Sequence, residues 1–198
     1  MPRAALAFTL GTEETPSIVT RGWDNQTTKQ VGEYTVAGEL SRLGFMCTPF
    51  AGNVPHYDII AADPAGRIIA VQVKAIRGGS WQFDIRRFVS ITLDGTTQIV
   101  GELTNEPYRD LWCIFVLLGT KRRDDRFFIF SWKTLQDIAV KHHRAYLQKH
   151  GGVRPKRHDS YHAALTPLDI VDHEEKWEQL KELSGENEPG SILDPEIA

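Results

Sequence analysis

The sequence predicts an α/β fold, a β-sheet flanked by helices, and three features carry that prediction. Residues 28–43 hold apolar side chains at helical spacing with no proline, and two β-branched runs flank a strong turn at Asp63-Pro-Ala-Gly66. A continuous apolar run, Leu111 to Leu118, has the length of a central strand covered on both faces. With 41% hydrophobic and 25% charged residues in a chain of 198, there is enough apolar surface for one sizeable core. One domain over residues 25–184 is expected, preceded by an arm at 1–24 without a clear period and followed by a loose acidic tail at 185–198.

In the first helix, at about 100° per residue, Val36, Ala37, Leu40, Leu43 and Gly44 gather on one face. Glu33 falls in the middle of that arc, whereas Glu39 and Arg42 fall off it. A carboxylate on a core-facing stripe would sooner change its pKa than stay charged alone, so a compensating cation is implied. Gly44 suits the helix C-terminus, Phe45 to Phe50 reads as a short strand, and 51–56 as a loop in which Asn53 and His56 are candidates to touch phosphate. The runs 57–62 and 67–75 should pair antiparallel, with Asp58 opposite Val71 or Gln72 according to register. Alternation puts Gln72 and Lys74 on one face of their strand and Val71 and Val73 on the other. A lysine on so apolar a strand is out of place as a surface residue.

Past Lys74, a glycine turn leads into a strand at Trp81 to Ile85, and Arg77, Arg86 and Arg87 are candidates for bidentate phosphate contacts. Asp94-Gly95 marks a turn between VSITL and TQIVG. Phe127 to Trp132 should return beside Leu111 to Leu118. Ser131 is a plausible N-cap for a helix that stops at Gly151-Gly152, with Leu135, Ile138, Ala139, His142 and Tyr146 on its inner face and His142 as a satisfied core histidine. The histidines at 142, 143, 150, 158 and 162 lack zinc-ligand spacing, since adjacent ones diverge on a helix and no cysteine joins them. After Thr166, Trp177, Leu180 and Leu183 suggest a short amphipathic helix.

The pattern Gly32-Glu33 on a helix, Tyr57-Asp58-Ile-Ile, a short turn, then Val71-Gln72-Val73-Lys74 resembles the PD-(D/E)XK nuclease superfamily, which includes Holliday junction resolvases and many restriction enzymes. The resemblance covers about the first half of the chain. It implies a restriction endonuclease-like core with a central mixed β-sheet, and a metal-dependent endonuclease acting on DNA phosphodiester bonds. It also implies roles: Glu33 as helix carboxylate, Asp58 as central metal ligand, and Lys74 as catalytic lysine, with the Gln72 side chain and the Val73 carbonyl completing the ligand set for Mg²⁺, for which Mn²⁺ substitutes. The pattern departs from the signature at Gln72, where Asp or Glu is usual, and at His56-Tyr57, where proline often precedes the Asp. The Q-x-K form is similar to a variant in some restriction-type and homing-type members. A homodimer is implied by the superfamily's habit of cutting two strands, and the neutral Gln72 keeps open an alternative, a catalytically inactive module of the same fold that binds nucleic acid or a protein partner.

The formal net charge of −3 is unlike that of a generic nucleic-acid binder, but its distribution is uneven. Residues 141–158 contain Lys141, Arg144, Lys149, Arg154, Lys156 and Arg157 with no acid, whereas acids dominate from Asp169 onward. Lys141 and Arg144 are therefore candidates for a phosphate footprint. Cys47 and Cys113 lie in apolar runs, which suits reduced thiols in a cytoplasmic protein. No segment approaches the roughly 20 apolar residues of a membrane helix, and the apolar stretch near the N-terminus lacks a cleavage motif.

Overall fold

The computed structural model describes residues 21–50, 55–107 and 110–182. The chain lays down α1 (Arg21–Arg42), β1 (Met46–Pro49), β2 (Ile59–Ala62), β3 (Ile68–Ile76) and β4 (Trp81–Asp84). A hairpin of β5 (Val89–Asp94) and β6 (Thr97–Leu103) follows, then β7 (Leu111–Leu117), β8 (Arg126–Ser131), α2 (Trp132–Lys149), β9 (His162–Leu165) and α3 (Gln179–Glu182). Five strands form one mixed sheet in the order β1-β2-β3-β7-β8, in which β3 and β7 are parallel and the other pairs antiparallel. Two ribbons, β4 with β9 and β5 with β6, stand apart from it.

Side-chain alternation splits the core into two layers. On one face Val36, Leu40, Ile69, Val71, Val73, Ile114 and Ile129 pack beneath α1. On the other, Trp81, Phe115, Phe128, Phe130, Trp132, Leu135 and Ala139 pack beneath α2 and the β4–β9 ribbon. β7 has residues in both layers and is buried from Leu111 to Val116, as a central strand covered on both sides requires.

α1 begins at Arg21 rather than Thr28, so its first turns reach into the segment expected to be an arm. Its buried face otherwise matches: Glu33, Val36, Ala37 and Leu40 are inside, and Gly44 takes a left-handed φ of 96° just past the end. The β2–β3 hairpin closes as its turn chemistry demands, with Asp63 Oδ1 accepting from the amides of Ala65 and Arg67 at 3.0 and 2.9 Å. Ser131 caps α2 by accepting from the Thr134 amide at 3.1 Å.

The inner face of α2 is rotated from the expected one. Trp132, Leu135, Gln136, Ala139, Val140, His143 and Leu147 are buried, while Tyr146 is exposed. The core histidine is therefore His143, not His142, which pairs with Asp169 at 3.7 Å on the half-exposed flank. The rotation is stabilised by two polar residues that apolar periodicity discounts. Gln136 donates to the carbonyls of Phe88 and Thr104, and His143 Nε2 meets Gln98 Oε1 at 3.2 Å, so both are satisfied inside.

Candidate active site

β3 outruns β2. The antiparallel register pairs Ile59 with Val71, and beyond that point β3 keeps only β7 as a neighbour, leaving an open edge. Continued by one residue, the register sets Asp58 beside Gln72. The Asp58 amide donates to the Val71 carbonyl at 2.8 Å, and its Oδ2 accepts from the Val73 amide at 2.8 Å, replacing the ladder bond β2 no longer provides. That bond fixes the Asp58 carboxylate on the strand carrying Gln72 and Lys74.

Lys29, Asp58, Gln72, Val73, Lys74 and Trp81 line a single open cleft of about 430 Å³. Glu33 arrives from α1, on the Val73 face of the sheet, and joins the cleft through Lys29. The Lys29 ammonium lies 3.4 Å from Glu33 Oε1 and 3.4 Å from Asp58 Oδ1. Gly32 permits this approach: a Cβ there would come within 2.4 Å of the Ala75 Cβ, so only glycine lets α1 lie this close to β3. Trp81 fastens the far side, its indole donating to the Lys74 carbonyl at 3.0 Å across the Gly78-Gly79 turn.

The charges in the cleft perturb one another. Burial pushes the Glu33 carboxyl above its ordinary range, and the neighbouring Asp58 charge pushes it further, against the pull of Lys29. Burial works to lower the Lys29 ammonium, but Asp58 and Glu33 together outweigh it and hold Lys29 above its usual value. Lys74 moves the other way, lowered chiefly by burial and then by the Arg87 guanidinium. Opposed shifts among neighbouring groups in one cleft are a feature of functional sites.

Glu33 Oε1 is buried and has no hydrogen bond of good geometry among the described residues, only its ion pair with Lys29. Asp58 and the Gln72 amide oxygen are hard oxygen donors on the cleft, and Glu33 adds a carboxylate beside Asp58, to which the Lys29 ammonium ties it; donors of this type fit Mg²⁺ or Mn²⁺. The set carries two carboxylates, and among the described residues no cluster of three His, Cys, Asp or Glu side chains is poised for a metal.

The candidate phosphate contacts are scattered. Arg87 reaches the cleft, where its guanidinium donates to Gln72 Oε1 at 3.4 Å. Arg77 instead donates to Thr28 Oγ1 at 3.1 Å, tying the end of β3 to α1. Arg86 is paired with Asp84 and lies over the Tyr161 ring at 4.1 Å. Lys141 and Arg144 are exposed on the outer face of α2, away from the cleft lining. His56 is exposed with a left-handed φ of 76°, and Asn53 lies outside the described residues. Sequence reasoning missed Lys29 and the Trp81 clamp. Lys29 was within reach of the rule that residues four apart on a helix face each other, applied backwards from Glu33.

Fold and site define a mixed α/β protein with an acid-and-lysine cleft at the open edge of its central sheet. No protein-family profile matches the chain, and no curated protein matches it. Among solved structures it is similar to a bacterial homing endonuclease, at 13% identity and a TM-score of 0.43, over 82% of this chain and 98% of that one. Among the described residues no helix is long and apolar enough to cross a membrane.

Proposed function

We propose that the chain is a PD-(D/E)XK-type, divalent-metal-dependent endonuclease that hydrolyses DNA phosphodiester bonds. The observation that carries this reading is the gathering of Asp58, Gln72 and Lys74 on one cleft, with Glu33 tied to Asp58 through a shared ammonium. Asp58, Glu33 and the Gln72 side-chain oxygen would hold Mg²⁺, and the Val73 carbonyl is a further candidate ligand. The ion supplies Lewis-acid polarisation of the phosphate and activation of the attacking water. Asp58 keeps one oxygen on the Val73 amide, which fixes the orientation of its carboxylate. Lys74 lines the same cleft, where its ammonium would orient the incoming water and offset the charge that builds on the phosphate as one P–O ester bond breaks.

The test is nicking or linearisation of supercoiled plasmid and genomic DNA in Mg²⁺ or Mn²⁺. Asp58→Ala and Lys74→Ala should each lower the rate by at least about 100-fold with the fold retained by circular dichroism, and Asp58→Ala should also melt somewhat lower, since it leaves the Val73 amide without its acceptor. A parent that cuts nothing, or an Asp58→Ala variant that cuts as well as the parent, removes the nuclease reading. A module of the same fold that binds nucleic acid without cutting is the second reading. It is favoured by the neutral Gln72, whose oxygen is already engaged by Arg87, and it expects retained DNA binding with no cleavage.

A further inference from the structure

Lys29 stands between the two carboxylates that the proposed function assigns to a metal ion. We infer that Lys29 is the built-in counter-ion of the Glu33–Asp58 pair, and that a divalent cation entering the cleft displaces its ammonium. Lys29 then sets how tightly the site takes metal. This rests on the reading of the cleft as a divalent-ion site.

The Glu33 and Asp58 side chains are largely withdrawn from water, 11% and 16% exposed, so their like charges repel through poorly screened surroundings. One ammonium at 3.4 Å from each neutralises half of that charge. A divalent ion neutralises all of it, and an ammonium and a divalent ion crowded against the same pair of oxygens repel each other. Which cation leaves is decided by exposure: the Lys29 side chain is 44% exposed on a flexible four-carbon stem, so its ammonium can withdraw into water at small cost. Glu33 cannot follow it, because it is anchored on the helix stripe between Gly32 and Val36 and packed against the sheet. Its Oε1, without a well-aligned hydrogen bond, is the atom with most to gain from a better partner.

Lys29→Met keeps the stem and removes the charge, Lys29→Gln does so with a polar head, and Lys29→Arg retains the charge. Mn²⁺ affinity by titration calorimetry, and melting temperature with and without Mn²⁺, read the effect without any cleavage assay. Lys29→Met and Lys29→Gln should bind Mn²⁺ at least about tenfold more tightly than the parent, melt lower without metal, and gain more from its addition. Lys29→Arg should resemble the parent. Affinity unchanged or weakened in both neutral variants, while Asp58→Asn abolishes binding, overturns the counter-ion assignment and leaves the metal site standing. Absence of Mn²⁺ binding in the parent and in every variant overturns both together.

Discussion

Gln72 is the residue at which chemistry and electrostatics meet most directly. Its oxygen would serve the metal, yet it already accepts from Arg87, a cation that also lowers Lys74. A carboxylate at 72 would add negative charge for the ion but would also draw the guanidinium onto itself. Gln72→Glu alone should therefore lower the Mg²⁺ requirement for cleavage modestly, and Gln72→Glu with Arg87→Gln should lower it severalfold more. Mg²⁺ titrations that superimpose for parent and both variants would discard the charge argument. At this scale much of the site was legible. A carboxylate on an apolar helical stripe and a lysine on an apolar strand are both anomalies, and Asp58 followed from counting back from the turn. Lys29 was half legible: helical spacing offers it to Glu33, but its second contact, with Asp58, joins α1 to a residue far along the chain and has no local signal.

A single approach between two elements carries Glu33 to the site: the crossing of α1 over β3 at Gly32 and Ala75. In a helix interior alanine is favoured over glycine by about 0.8–1.0 kcal/mol, so propensity alone says Gly32→Ala should stabilise. The clash with Ala75 opposes it, and overpacking in a closed contact costs about 1–3 kcal/mol, so the net change should be destabilising. Gly38, on the exposed side of the same helix with nothing within 4 Å of its missing Cβ, lacks that clash, and Gly38→Ala should raise stability. Urea unfolding of the two variants should therefore move in opposite directions, and Gly32→Ala combined with Ala75→Gly should recover most of the loss. Gly32→Ala as stable as Gly38→Ala would mean that the crossing yields easily. The local elements were legible where their signals are local: the Asp63 turn, the Ser131 cap, the Asp94-Gly95 hairpin. β9 was not, because His162-Ala-Ala-Leu165 lacks β-branched residues and becomes a strand by pairing with Trp81 to Asp84 far away in sequence.

Across the whole molecule, the sheet order depends on a parallel pairing of β3 with β7 that no local pattern encodes, since the chain first builds β4 and the β5–β6 hairpin outside the sheet. What joins those outer pieces to α2 is a polar bridge that apolar periodicity could not reveal. Gln98 on β6 donates to the carbonyls of His158 and Ser160 at 2.7 and 2.9 Å, which turns its oxygen toward His143 on α2. Neutral His143 then donates from Nε2, and a second proton has to enter a ring that is 4% exposed. Burial first, and then the Arg154 charge, hold His143 down to about 4 from its ordinary 6.5. His173 is lowered in the same direction, again mainly by burial. As pH falls through 6.5 the unfolded chain binds these protons and the folded chain does not. Stability is thus fully present above that pH and declines towards pH 4. His143 alone accounts for a loss of up to about 3 kcal/mol across the window. Glu174 and Asp84, held low by hydrogen bonds from Arg126 and Arg86, add to the loss only near the bottom of this window, and Glu33, raised by burial, offsets part of it by taking its proton earlier in the fold than in the unfolded chain. Urea midpoints measured from pH 7 to pH 4 should therefore fall steadily in the parent, and fall less steeply in His143→Gln whatever its stability at neutral pH. Equal slopes for the two proteins would mean that the imidazole at 143 takes its proton as readily in the fold as in the unfolded chain, and that the bridge between β6 and α2 opens with acid rather than resisting it.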